Sequence, residues 1–432
     1  MPSKKIIVSA LLAASCAGAW SQSSTNSPYT RYGLGDTYDM SFSNNAAMGG
    51  VGYALRSGLH INPMNPASYT TVDSLSFMFD TGMTLKSSNF EEGNYKSNAK
   101  NASFDYLAMQ FRLHPRLGMA VAYTPYSTVG FNLTRTKAIE NSDVSISNNF
   151  YGDGNLQQIM AGLGFKILDN LSVGVNAAYL FGKLEYQTVA TLSNGGDMSV
   201  IYNNLTVASY NVNFGLQYTQ KINKDNALTL GLAYTLGHDL NATDIHGIQV
   251  ANNSSSTTTG GSYSVVKEER TENGYGIPHT FGGGLAWQYK KNLTVEADYT
   301  LQKWEGVKYD NRTDRYMNRS KVAFGVEYLP KEYGKNYLTR IRYRAGAHYS
   351  TPYLKTPSDN PHSAWVDGPK EYGVSVGFGL PLNLYQQSST LSVTGEYVHV
   401  SPSAKGLLSE NRFMIKLGLT FDERWFMKFR VN

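Results

Sequence analysis

From Ser74 to near the C-terminus the chain is a succession of two-residue alternations, each roughly ten residues long and closed by a turn. The clearest stretch is Arg340-Ile341-Arg342-Tyr343-Arg344-Ala345-Gly346-Ala347-His348-Tyr349. Successive side chains of a β-strand point to opposite faces. Ile341, Tyr343, Ala345, Ala347 and Tyr349 therefore share one face, and Arg340, Arg342, Arg344 and His348 share the other. A chain built almost entirely of such segments, with tyrosines at their ends, points to an all-β fold: a transmembrane antiparallel β-barrel.

Composition agrees where it bears on this. Only 16% of the 432 residues are charged, and 41 Gly, 31 Tyr and 18 Phe suit tight turns and aromatic girdles. Mean hydropathy is −0.34. Past the N-terminus no apolar run reaches the roughly 18 residues of a spanning helix. A barrel needs none, because only every second residue meets lipid. The net charge of +5 is mild and scattered, which argues against nucleic-acid binding and for a solvated surface and lumen.

Residues 1–21 read as a secretory signal, with Lys4 and Lys5 before an apolar core from Ile6 to Ala19 and small residues for cleavage. The only cysteine, Cys16, lies inside it, so the remaining chain has no disulfide and no thiolate metal site. Residues 22–73 are rich in Ser, Asn, Gly and Pro, yet carry Met48, Val51, Tyr53, Leu55, Ile61 and Met64. Too apolar for pure disorder, they form an expected compact segment before the barrel of 74–432. About fourteen strands are expected between residues 75 and 421. The connectors alternate between short (114–116, 168–170, 222–226, 290–292, 330–337, 382–388) and long (86–103, 127–155, 182–204, 237–278, 303–318, 351–369, 400–409). That alternation matches short periplasmic turns and longer outer loops, with both chain ends on the periplasmic side.

The two faces follow. Leu228, Leu230, Leu232 and Tyr234, and Val322, Phe324, Val326 and Tyr328, can meet hydrocarbon. Gly231, Gly282, Gly284, Gly373, Gly377 and Gly379 leave room inside. Charges cost about 2–4 kcal/mol on the lipid face for Arg or Lys, so Glu296, Asp298, Glu327, Arg340, Arg342 and Arg344 belong to the lumen. Counting from the 330–337 turn sets Glu327 opposite Arg340, and Glu396 pairs with Lys416. This charge network reads either as a support for the wall and for a plug, which is favoured, or as a polar step on a solute path.

The stretch Ala47-Met48-Gly49-Gly50, then Asn65-Pro66-Ala67 shortly before the first strand, resembles the FadL/TodX family of outer-membrane transporters for hydrophobic compounds. The strand count and the ending Arg424-Trp425-Phe426 fit as well. The resemblance implies that 22–73 is a hatch plugging the lumen, with Met48, Gly49, Gly50, Asn65, Pro66 and Ala67 as hatch and gating residues. Pro125, in Tyr123-Thr124-Pro125-Tyr126, cannot donate to a ladder, so a bulge, kink or early strand end is expected in the third strand. The family's third strand carries an inward kink that opens a lateral gap toward the bilayer. The implied function is uptake of a hydrophobic small molecule across the outer membrane, with outer-membrane lipid and envelope proteins as the other partners. A partner-binding barrel serving secretion or surface assembly, and an open general porin, are the alternatives. The 237–278 segment is polar, unlike an apolar capture groove.

No catalytic chemistry is expected. The histidines are dispersed, no nucleophile elbow or phosphate loop occurs, and His399 near Ser401 and Ser403 reads as a surface histidine at a strand end. No cofactor is implied.

Overall fold

The computed structural model describes residues 24–74, 76–195, 197–251, 263–357, 365–384, 387–403 and 407–424. The expected signal segment and the Trp425-Phe426 ending lie outside them. Fourteen strands form the wall: β1 (Ser76–Glu92), β2 (Tyr95–His114), β3 (Leu117–Ala138), β4 (Ser145–Leu168), β5 (Leu171–Leu192), β6 (Met198–Lys221), β7 (Asn226–Thr235), β8 (His279–Tyr289), β9 (Leu293–Lys303), β10 (Arg319–Tyr328), β11 (Arg342–Ser350), β12 (Lys370–Leu384), β13 (Gln387–Ser401) and β14 (Ser409–Arg424). Each pairs antiparallel with the next. β14 closes the ring on β1, from Ser76↔Arg424 to Glu91↔Ser409, so the sheet has no terminal edge strand.

The outward faces carry Leu163, Phe165, Leu230, Leu232, Phe281, Leu285, Val322, Phe324, Val374, Val376, Phe413 and Ile415, all well exposed. A soluble protein does not present so continuous an apolar band. No helix of the described residues is long and apolar enough to cross a membrane. The strands do the spanning.

The connectors at one end are short: 115–116, 169–170, 222–225 and 290–292 lie between successive strands. We call this the inner end. The other end differs from the sequence expectation. Segments 86–103, 127–155 and 182–204 are strand for most of their length; the strands there stop at Glu92, Ala138 and Leu192 and resume at Tyr95, Ser145 and Met198. β4 and β6 reach 24 residues, against the roughly 9–11 that cross hydrocarbon. In their outer halves polar residues such as Asn148, Asn149, Asn203 and Asn204 interrupt the alternation, although the ladder continues and Leu156, Leu205 and Val207 remain buried on the inward face. The 237–278 segment extends the same wall: Ala242–Ala251 pairs with the outer half of β6 and with Tyr263–Glu272.

A second correction concerns register. The β10–β11 connection contains a 3-10 turn, Tyr337–Arg340, capped by Asn336, whose side chain accepts from Leu338 N–H. The turn delays the strand until Arg342, so Glu327 faces Arg344 rather than Arg340. Arg340 instead lies 5.4 Å from the Tyr337 ring, outside the lumenal network.

Candidate functional site: the hatch, its seat and the seam

Residues 24–74 fill the lumen. Leu34, Phe42, Ala47, Met48, Val51, Ile61, Ala67 and Tyr69 are almost fully buried there. Local sequence explains the turns. Asn65 caps the 3-10 helix Pro66–Thr71 by accepting from Ala67 N–H, and Pro66 stands at its first position, where a missing N–H costs nothing. Asn65 Nδ2 also donates to Tyr53 O at 2.7 Å and to the wall carbonyls of Leu216 and Leu232 at 3.1 and 3.2 Å. Asn-Pro-Ala is thus a cap and an anchor in one. Gly49 and Gly50 both have positive φ, +73° and +83°, and follow the short helix Ser43–Ala46. Gly49 N–H donates to Ser375 Oγ at 3.0 Å, and Ser375 Oγ returns a bond to Ala47 O. Met48 packs with Val51 and Ala323.

Two buried wall carboxylates hold the next turn. Asp298 Oδ2 accepts from Gly52 N–H at 2.7 Å and Tyr53 N–H at 3.0 Å, and Glu296 Oε1 accepts from Ala54 N–H at 2.8 Å. Gln217 Nε2 donates to Tyr53 O and Leu55 O from the other side. Glu327 binds Arg342 at 2.8 Å and Arg344 at 2.7 Å. Arg344 also reaches Ser392, which donates to Asn44 of the hatch. Burial pushes the hatch residue His60 down to about 3, against the raising influence of Glu327, with Arg344 and Arg342 adding to the fall.

Nearer the outer end a second network ties hatch to wall. Arg412 contacts Asp36 at 3.3 Å, Glu410 at 2.9 Å and Glu371 at 3.4 Å. Arg319 contacts Glu371 at 3.5 Å and Asp39 at 3.9 Å, and Lys321 closes on Asp39. Burial alone would raise the Asp39 carboxyl, but Lys321 and Arg319 hold it well below the usual carboxylate range. Lys416 and Glu396 form the expected pair at 2.6 Å.

The inward glycines are what the hatch rests on. A Cβ on Gly118 would overlap the Tyr69 carbonyl, on Gly174 the backbone of Pro66, on Gly231 the Tyr53 carbonyl, on Gly346 the backbone at Met48, and on Gly418 the Ser43 side chain. These five sit on β3, β5, β7, β11 and β14, around the whole ring. They do more than leave room: the wall is moulded to the hatch backbone, and a single methyl forces a shift.

At β3 the wall is discontinuous. The β2–β3 ladder runs only from Leu107↔Tyr123 to His114↔Leu117. Beyond it, β2 continues against β1 alone, up to Glu92↔Tyr95, and β3 against β4, up to Ala138↔Ser145. Pro125 lies two residues past the last β2–β3 pair, and the β3–β4 register shifts between Pro125 and Ser127. β3 therefore does not end at the proline; it bulges and runs on. The hatch strand Asp36–Thr37 enters this gap, pairing Asp36↔Thr128 and Thr37↔Ser127, and Tyr38 N–H donates to Tyr126 O at 2.9 Å.

Above the hatch an apolar cluster closes the outer lumen. Leu34, Val129, Phe131, Leu156, Leu180, Leu184, Leu240, Tyr275, Trp304 and Tyr316 pack there, with Tyr32, Tyr126 and Tyr353 at its margin. Leu34 and Val129 place it directly beside the seam. Concavities occur at the wall beside Gly395 and among the inner turns around Asn223 and Lys290. His399 Nδ1 lies 2.8 Å from Asn411 Oδ1 and Ser403 bonds the Gly368 carbonyl, so these residues form no catalytic set.

Sequence reading marked a defect at Pro125 but not the loss of the β2–β3 ladder beside it, which needs pairing rather than pattern, and it missed the juxtaposition of Asp244 and His246 with Asp310. The Asp-x-His spacing, which puts both side chains on one strand face, was the available signal.

Solved structures with similar architecture include the Pseudomonas putida toluene transporter TodX (13% identity, 90% of this chain and 100% of that one, TM-score 0.59). The CymD monoaromatic hydrocarbon channel matches at 14% identity over 89% and 97% (TM-score 0.57). A Pseudomonas aeruginosa FadL homologue matches at 12% over 90% and 98% (TM-score 0.57). At such identities the likeness shows a shared fold. No curated protein matches the chain. A family model does, over residues 2–432, and the chain belongs to the BamG family.

Proposed function

We propose that this protein is an outer-membrane channel for hydrophobic small molecules whose exit is lateral, through the β2–β3 seam, while the hatch stays seated. The observation that carries the reading is the end of the β2–β3 ladder at Leu107–Tyr123 beside the outer apolar cluster. A hydrophobic solute entering among Leu34, Val129 and Phe131 would meet polar hatch groups below and a gap toward lipid at the side. Passing Asp298, Glu296 and the glycine seat would require leaving buried N–H groups without acceptors, at about 1–3 kcal/mol each. The lateral route requires only displacement of two hatch residues from β3. No residue acts as an acid, base or nucleophile on this route; shape and plugging do the work.

A second reading is a sealed, partner-binding barrel serving secretion or surface assembly. What favours it is the fit of the hatch together with the filled outer lumen, which leaves the tall outer wall of β3–β6 as the feature open to a partner. Native mass spectrometry after gentle detergent removal separates the two. A reproducible lipid-like or aromatic mass on the barrel supports uptake. A barrel that is empty in every preparation and travels with another envelope protein would sink uptake and support the second reading.

A further inference from the structure

Asp244, His246 and Asp310 converge at the outer mouth. Asp244 and His246 lie two residues apart on the Ala242–Ala251 strand and so on one face. Asp310 comes from the β9–β10 loop, at the tip of a Tyr309–Arg312 turn in which Asp310 and Asn311 have φ of +51° and +59°. Two successive positive φ values make a type I′ turn, so the carboxylate is presented by a rigid tip. The loop is tied to the hairpin side by Asn311 N–H to Gly274 O at 3.0 Å and Gly276 N–H to Lys308 O at 3.1 Å.

His246 Nε2 lies 2.9 Å from Asp244 Oδ2 and 3.5 Å from Asp310 Oδ1, yet makes no aligned hydrogen bond with either. The three ligand atoms all fall within 4.8 Å of one another. Asp244 is 1% exposed, Tyr275 OH donates to its Oδ2 at 2.8 Å, and its Oδ1 is buried without a partner. A carboxylate that buried normally has a full complement of donors. Around a metal with bonds of about 2.1 Å, neighbouring ligand atoms stand about 3.0 Å apart at right angles and about 3.4 Å apart in a tetrahedron. The two separations at His246 fit that spacing. One imidazole with two carboxylates suits a zinc-like cation rather than the all-oxygen calcium or magnesium. Tyr275 would orient Asp244 from outside the coordination sphere.

We infer that Asp244, His246 and Asp310 form a binding site for a zinc-like divalent cation that clips the outer hairpin to the β9–β10 loop. The clip would fasten the lid of the outer apolar cluster, since Leu240, Ala242 and Tyr275 come from one side of it and Trp304 and Tyr316 from the other.

The test uses the untagged full chain in detergent, stripped with chelator, titrated calorimetrically with zinc chloride and separately with calcium chloride. One zinc per barrel is expected, bound at least tenfold more weakly by His246→Gln and by Asp310→Asn. Both positions are half-exposed, so the variants fold; Asp244, being buried, is left intact. Zinc should also slow hydrogen exchange in 242–251 and 306–312 together. Zinc binding that both variants leave unchanged, calcium binding equal to zinc, or zinc without joint protection of the two segments would each overturn the site.

Discussion

Replacing Asp298 by Ala tests how the hatch is held. The Asp298 carboxylate accepts from Gly52 N–H and Tyr53 N–H, at 2.7 and 3.0 Å, and is 5% exposed. Removing it strands two buried N–H groups, at about 1–3 kcal/mol each, or about 2–6 kcal/mol together. Part of this is offset, because Glu296 then no longer shares its pocket with a second carboxylate. We expect a net loss of about 2–4 kcal/mol. The loss should be local: Asp298 meets Ala323 and Gly284 through backbone register, and the Ala variant keeps that ladder. Local opening then becomes about 30- to 900-fold more frequent, at 1.36 kcal/mol per tenfold. Native-state hydrogen exchange reads this directly at Gly52, Tyr53 and Ala54, while β9 and β10 amides keep their protection. Asp298→Asn retains one acceptor oxygen and should fall between the two. Unchanged exchange at 52–54 in Asp298→Ala would refute the carboxylate anchor, as would a uniform loss of protection through the wall.

Other expectations follow from the same geometry. Gly231→Ala and Gly346→Ala each drive a methyl into hatch backbone and should cost about 1–3 kcal/mol by overpacking, seen as faster proteolysis within 40–73; Gly395→Ala, with nothing within 4 Å, is the neutral control. Arg344→Ala leaves Glu327 buried with a single cation and should cost about 3–5 kcal/mol in thermal unfolding, whereas Arg340→Ala should stay within about 1 kcal/mol; equal costs would contradict the observed register. His60 is neutral when folded and titrates near 3, below its unfolded value of about 6.5, so its stabilisation is complete above pH 6.5 and is lost as pH falls toward 3. Near pH 4.5 the loss is on the order of 2–3 kcal/mol, and His60→Gln should flatten that part of the hatch's pH profile.

The parts of this fold that face lipid were readable from sequence because hydrocarbon enforces a period of two. Leu228 to Tyr234 and Val322 to Tyr328 could sit only one way. The same rule is silent above the membrane, so the outer halves of β3 to β6 read as loops around Val129, Phe131 and Val144. Asn65-Pro66-Ala67 was legible as a motif, and its cap-and-anchor geometry gives the physical reason for the residues. The glycines were read as space, although they prove to be contact surfaces, since a missing side chain does not announce what fills its place. Arg340 was misplaced by one short 3-10 turn that counting residues could not foresee. Pro125 marked a defect in β3, but the loss of the neighbouring ladder depends on which strands pair, and no local pattern encodes that.

Locking the seam tests lateral exit most directly. Thr37 and Ser127 face each other as a pair between hatch and β3, flanked by the bonded pair Tyr38–Tyr126. Such non-bonded antiparallel partners have Cα atoms about 4.5 Å apart, within disulfide range. The only native cysteine is Cys16, in the expected signal, so Thr37→Cys/Ser127→Cys introduces one defined bridge. Uptake of a labelled hydrophobic compound should stop in the oxidised protein and return on reduction, with folding unchanged. Equal uptake in the oxidised and reduced forms would contradict lateral exit, and no uptake in either form or in the parent would move the account to a partner-binding barrel.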